Sequence, residues 1–139
     1  MTITQQLIRD EGMKLKLYKD TVGKLTIGVG RDLTDVGITT DEAMVLLSND
    51  LASTTRRLLA ALPWVVELVN SDPVRFAVLV NMAFNLGVGG LLHFQNMLSF
   101  VKAASWVSAA DEMLRSKWAN EVGDRAQRLA TQMRTGDWC

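Results

Sequence analysis

Apolar residues near the start of the chain recur at Ile3, Leu7 and Ile8, the spacing of one helix face, with Thr2 and Gln5 placed as a capping box and Gly12 as a stop. From Leu15 the period shortens to two. Leu15 and Leu17 alternate with Lys16 and Tyr18, "DTVGK" reads as a turn, and Leu25, Ile27 and Val29 alternate with Thr26, Gly28 and Gly30, which predicts a small β-hairpin. A second capping box, Thr39 with Glu42, opens a helix that carries Leu46, Leu47, Leu51, Thr54, Leu58, Leu59 and Leu62 on one side and ends before Pro63. At about 1.5 Å per residue its roughly 23 residues span about 35 Å, enough to join two lobes across a hinged cleft.

Beyond Pro63 every pattern is helical. "SDPVRFAVLVNMAFNLG" offers Ser71 or Asp72 as cap, Pro73 at the first helical position and Gly87 as stop, and its apolar residues run all round, so it belongs at the centre of a larger lobe. Shorter helices are predicted near residues 91–103, 106–118 and 124–134. "GVGG" at 87–90 follows a helix and not a strand, which makes it a loop and not a phosphate cradle. Trp64, Trp106, Trp118 and Trp138 all fall in this half and read as core. The fold class is α+β and mostly helical, with a small N-terminal lobe (1–38), a linking helix (39–62) and a helical C-terminal lobe (63–139) in one compact bilobal unit.

Composition and charge narrow the function classes. The chain has 139 residues, 48% of them hydrophobic and 22% charged, enough to bury a core. Its 15 basic and 15 acidic residues balance, so no general field favours nucleic acid or a membrane surface. The apolar stretch 74–86 is broken by Arg75, Asn81 and Asn85 and is too short to cross a bilayer. A lone cysteine, Cys139, excludes a disulfide framework, and no spacing suits a metal; His93 has no ligand or catalytic partner near it in sequence. "MTITQQLIRDEG" has neither the basic leader nor the apolar run of a signal peptide, so a cytoplasmic start is expected.

The candidate chemistry lies in "EGMKLKLYKDTVGKLTIGVG" at residues 11–30. Glu11 falls in the last turn of its helix, facing the negative end of the helix dipole, a placement suited to a proton donor. Asp20 opens a turn, with Thr26 six residues on, so the hairpin can bring a carboxylate and a hydroxyl to one side and hold a water. One acid to protonate a leaving oxygen and one carboxylate to work from the other face is the arrangement of glycoside hydrolysis. Acid pairs at this spacing are also common as solvated surface charges.

The segment "RDEGMKLKLYKDTVGKLTIGVG" resembles the N-terminal part of the T4-type phage lysozymes, glycoside hydrolase family 24, and keeps that family's Glu-8-Asp-5-Thr spacing. The likeness continues through "GITTDEA", "NMAFNLG", "SKWANEVGDRAQR" and "MRTGDW". It implies a lysozyme-like fold and a muramidase that cuts the β-1,4 bond between N-acetylmuramic acid and N-acetylglucosamine in peptidoglycan, as a monomer, without a cofactor and with inversion. Glu11 would be the general acid, Asp20 the carboxylate of the opposite face and Thr26 the hydroxyl that places the water. Arg125 corresponds to an arginine brought beside the catalytic glutamate, Asp10 is a supporting position, and Phe84 matches a position lining the substrate cleft. The family also implies an endolysin that waits in the host cytoplasm until a holin admits it to the periplasm, a task ranked above work in a phage tail. A silent wall-binding module and a helical interaction protein that inherited the fold are the rival readings, with a lytic transglycosylase as a related enzyme reading.

Several positions depart from the family. The connection "RDLTDVG" is short where familiar members carry an additional helix, so one rim should be trimmed. Arg31 replaces a histidine whose aspartate partner is matched by Asp50, which predicts an Arg31–Asp50 salt bridge. Met97 and Glu112 replace small polar residues near the substrate.

Overall fold

The computed structural model describes residues 1–139. Its elements divide into two compact units, Met1–Leu47 and Ser48–Cys139.

In the first unit, helix α1 (Ile3–Glu11) is opened by the expected capping box, with Thr2 N donating to Gln5 Oε1 (2.8 Å) and Gln5 N to Thr2 Oγ1 (3.2 Å). Gly12 ends it at φ 78°, a left-handed conformation that favours glycine. Strands β1 (Lys14–Lys19) and β2 (Leu25–Gly28) form the hairpin, pairing Tyr18 with Thr26 and Lys19 with Leu25, with an irregularity between Lys14 and Tyr18. A third strand, β3 (Arg31–Asp32), pairs antiparallel with β2, Thr26 opposite Asp32 and Ile27 opposite Arg31. Two residues are too few to show a period, so sequence alternation did not reveal it. The alternation of β1 predicted a strand correctly but not a buried face: Leu15 is 83% and Leu17 55% exposed.

Helix α2 (Thr40–Ala61) matches the long helix expected over 39–62, and the division between units falls within it. The connection before it is short, as expected, and made of turns: Asp32 Oδ1 accepts from Thr34 N (2.9 Å) and Asp35 N (3.1 Å).

The second unit is helical throughout. After a 3-10 turn (Pro63–Val65) come α3 (Val66–Ser71), α4 (Pro73–Leu92), α5 (Gln95–Lys102), α6 (Trp106–Arg115), α7 (Lys117–Val122) and α8 (Asp124–Thr135). Helix α4 is central, burying Val78, Leu79, Val80, Met82, Ala83 and Leu91. Although α4 is long and apolar enough to cross a membrane, these side chains build the core with Met97, Met113 and Met133. Gly87 ends the first helical stretch of α4 as expected, with non-helical backbone (φ 74°, ψ 154°); "GVGG", expected as a loop, instead begins a second helical stretch that continues to Leu92 across this kink. The helix expected over 106–118 ends at Arg115, because Ser116 turns extended (ψ 156°) and caps α7 by accepting from Ala119 N (3.2 Å).

Of the tryptophans expected in the core, Trp118 is 4% exposed, bonded through Nε1 to Asn85 Oδ1 (2.8 Å) and edge-on to Phe94. Trp64 and Trp106 pack half-buried against the core, whereas Trp138 is exposed.

Arg75 interrupts the apolar run of α4 for a structural reason. Its Nε donates to Met133 O (2.6 Å) and its Nη2 to Arg134 O (3.1 Å), in the last turn of α8. Nη1 donates to Asp72 Oδ2 (2.7 Å), and the guanidinium lies 4.4 Å from the Trp106 ring centroid. The chain leaves α8 through Gly136 at φ 78°, where an added Cβ would lie 2.8 Å from Arg75 Nη1. Replacing Arg75 with Met should therefore destabilise the protein by about 3 kcal/mol, since two carbonyls and a shielded carboxylate lose their partner. Urea unfolding followed by tryptophan fluorescence measures this, and Arg75→Lys should fall between the two.

Candidate active site

The three residues singled out for catalysis all lie in the first unit, and local backbone chemistry positions each of them. Glu11, exposed at the end of α1, extends its carboxylate against the backbone of Gly30. A Cβ at Gly30 would meet Glu11 Oε2 at 3.0 Å, and Gly30 itself stands at φ 69°. Glycine is thus required there twice, by conformation and by the approach of the acid.

Asp20 heads the β1–β2 turn. Its Oδ1 accepts from Val22 N (3.0 Å) and Lys24 N (2.8 Å), and its own N–H donates to Lys24 O (2.9 Å). One carboxylate oxygen is thereby spent on fixing the turn, and Oδ2 is left without a protein partner. Thr26, in the middle strand β2, is the single buried residue of the first unit, at 4% exposure. Its hydroxyl donates to Lys24 O (3.0 Å), which uses its proton and leaves lone pairs able to accept from a water. Lys24 therefore links the two groups, bonded to Asp20 through its N–H and to Thr26 through its carbonyl.

The supporting positions are more varied. Asp10 forms a surface pair with Arg9 (Nε to Oδ1, 2.7 Å). Arg125, in the second unit, donates from Nε (3.0 Å) and Nη2 (2.7 Å) to Asn81 Oδ1. Phe84 is 41% exposed and lines a hollow of about 340 Å³ with Asp50, Ser53, Thr54 and Arg57. Met97, at 1% exposure, is a core residue; Glu112 stands on the rim of a different hollow, paired with Arg115 (3.0 Å).

Of the expected Arg31–Asp50 pair, Arg31 lies in the first unit and Asp50 in the second. Within its own unit Arg31 Nη1 donates to Glu42 Oε1 (2.8 Å) and to Gly37 O (3.2 Å). The capping box of α2 explains the choice: Thr39 N donates to the same Glu42 Oε1 (2.9 Å), which turns that carboxylate back toward the loop beside β3. Asp50 lies eight residues further along α2.

Two features escaped the sequence reading. Gly30 was visible only as one of several glycines in an alternating strand, and its service to Glu11 depends on a contact between elements. The polar set at positions 50, 53, 54 and 57 has the i, i+3, i+4, i+7 spacing of one helix face, although the sequence pattern groups Thr54 with the leucines of α2.

Comparison with known proteins gives a consistent family. The profile of the family described as phage lysozyme matches residues 9–134. The chain is 29% identical over 161 residues to "Probable T4-type lysozyme 1" of Dictyostelium discoideum, covering 97% of this chain and 95% of that protein. It is 32% identical over 164 residues to the pre-baseplate central spike protein Gp5 of Enterobacteria phage T4, covering 99% of this chain and 28% of the spike protein.

The Arg31–Glu42 pair has a pH consequence. The hydrogen bond from Arg31, followed by that from the Thr39 backbone, lowers the Glu42 carboxyl from 4.5 to about 2. A lowered folded-state value contributes stability that is present above about pH 4.5 and is lost as pH falls toward 2. Thermal melts between pH 2 and pH 5 should therefore show a shallower acid loss for Glu42→Gln than for the parent.

Proposed function

The chain belongs to the phage lysozyme family and is a lysozyme, a glycoside hydrolase; from that premise we propose that it cuts the β-1,4 bond between N-acetylmuramic acid and N-acetylglucosamine in bacterial peptidoglycan, with inversion. Glu11 donates its proton to the leaving glycosidic oxygen. A water held by the lone pairs of Thr26 and by Asp20 Oδ2 attacks the anomeric carbon from the other face, and Asp20 takes up its proton. No covalent glycosyl intermediate forms. The observation that carries this reading is the fixed state of the trio: Glu11 is packed on Gly30, and Asp20 and Thr26 are both bonded to Lys24, each with acceptor capacity left over.

The deciding measurement is mass analysis of fragments released from purified sacculi. Hydrated reducing muramic acid ends are expected from the parent, with at least about a hundredfold loss in Glu11→Gln. Anhydro ends would instead identify a transglycosylase, and the absence of fragments a wall-binding module. Gly30→Ala should lose about a hundredfold in kcat/KM, because the acid is displaced. Its stability should fall by only about 1 kcal/mol, the cost of a Cβ at positive φ.

In the cell we propose that the enzyme acts as an endolysin, held in the host cytoplasm until a holin opens the membrane. Cytoplasmic expression should then lyse cells only after the inner membrane is permeabilised, as read by culture turbidity. Lysis without permeabilisation would overturn this reading. The match to a baseplate spike protein favours a second role, opening the wall for an infecting particle, whose chemistry would be the same.

A further inference from the structure

A hollow of about 810 Å³ lies within the first unit, between the sheet and the first turns of α2. Side chains alternate between the two faces of a strand, so Ile27 points away from Thr26. Arg31 pairs with Ile27 across β2 and β3 and shares its face, and both line the hollow. The hollow is therefore on the reverse of the sheet from the hydroxyl assigned to the water. Its wall is apolar: Ile27, Val29 and Leu33 come from the sheet and its margins, and Ile38, Val45 and Leu46 from α2 and the residues that lead into it. Val29, Ile38, Val45 and Leu46 remain exposed, and Thr26 is the one buried residue of the unit, so the wall keeps its apolar surface against water. The charged groups of the lining are Arg31 and Glu42, bonded to one another (2.8 Å) with side chains 38% and 40% exposed, which puts them at the mouth. Volume, apolar lining and few polar groups are those of a small-molecule site.

We propose that this hollow binds a small uncharged amphiphile, its hydrocarbon body against the apolar wall and a hydroxyl or amide head at the Arg31–Glu42 pair. Entry of the body takes apolar surface of both ligand and wall out of water. The pair at the mouth carries no net charge and sets guanidinium donors beside carboxylate acceptors, which suits a head that both donates and accepts. A carboxylate head suits it less, because Glu42 repels what Arg31 attracts and the charge must leave water. Val29 and Arg31 flank Gly30, so the site adjoins the residue on which Glu11 rests without including the acid. Glu42 is thus the residue that sets the head-group preference.

The test titrates the full isotope-labelled chain near neutral pH with hexanol, octanol and octanoate, followed by amide shifts in NMR spectra. Shift changes should centre on residues 27–46. Octanol should bind roughly tenfold tighter than hexanol, since it buries two more methylenes. It should also bind at least about fivefold tighter than octanoate, and in Glu42→Gln, which leaves the Arg31 charge unopposed, that order should reverse. Val45→Asp and Leu46→Asp should each weaken octanol at least about tenfold, whereas Leu15→Asp, also exposed but outside the hollow, should not. Because these three positions are exposed, the variants should keep the parent melting temperature, which separates lost binding from lost fold. Glu11→Gln should bind as the parent does. Shift changes centred elsewhere, equal weakening by Leu15→Asp, or an unchanged order of octanol and octanoate in Glu42→Gln would overturn the inference. So would self-association in sedimentation that Val45→Asp abolishes, without octanol binding by the parent, a result that assigns this face to a second copy of the chain.

Discussion

The helical unit closes on the guanidinium of Arg75. An α-helix ends with carbonyls that have no partner within it, and an end packed against the protein needs donors from elsewhere. Arg75 supplies them to Met133 and Arg134 while Asp72 balances its charge and Trp106 covers its face. One side chain near the start of α4 thereby joins the end of α8 and the first turn of α6. Gln132 repeats the link in the neighbouring position, its Nε2 donating to Val74 O (2.9 Å). The apolar core of Leu79, Met82, Met113 and Met133 supplies most of the driving force, but it is non-directional. The rigid fork of Arg75 fixes which turn of α8 meets the beginning of α4.

The first unit is organised by different means. It buries one residue, Thr26, so its order comes from turns, caps and strand pairing more than from apolar packing. The same local bonds that hold the chain also orient the candidate groups: the turn that closes the hairpin is bonded by Asp20, and the glycine that turns the chain out of β2 toward β3 is the one against which Glu11 rests. Site and scaffold are therefore not separable here. A substitution that altered a turn would act on chemistry before it acted on global stability.

The Arg31 pairing shows why electrostatic partners are harder to assign than elements. Arg31 and Asp50 are related by correspondence with the family, but a charged side chain pairs with whichever carboxylate the local backbone brings within reach. Glu42 was already committed to the cap of α2, and that commitment placed its oxygen where Arg31 leaves β3.

Local patterns determined much of this protein without help from tertiary structure. Caps at Thr2 and Thr39, the stop at Gly12, the two-residue period of the hairpin and the Pro73 start of α4 depend on bonds within a few residues, so they are written in consecutive sequence. The Glu11, Asp20 and Thr26 spacing is likewise written within twenty consecutive residues. What only the tertiary structure decided were relations between elements: strand β3, Arg75 on α8, Glu42 as partner of Arg31, and the contact of Glu11 with Gly30. Each depends on which surfaces meet once the chain has folded, and residue spacing along a chain does not encode distance between elements.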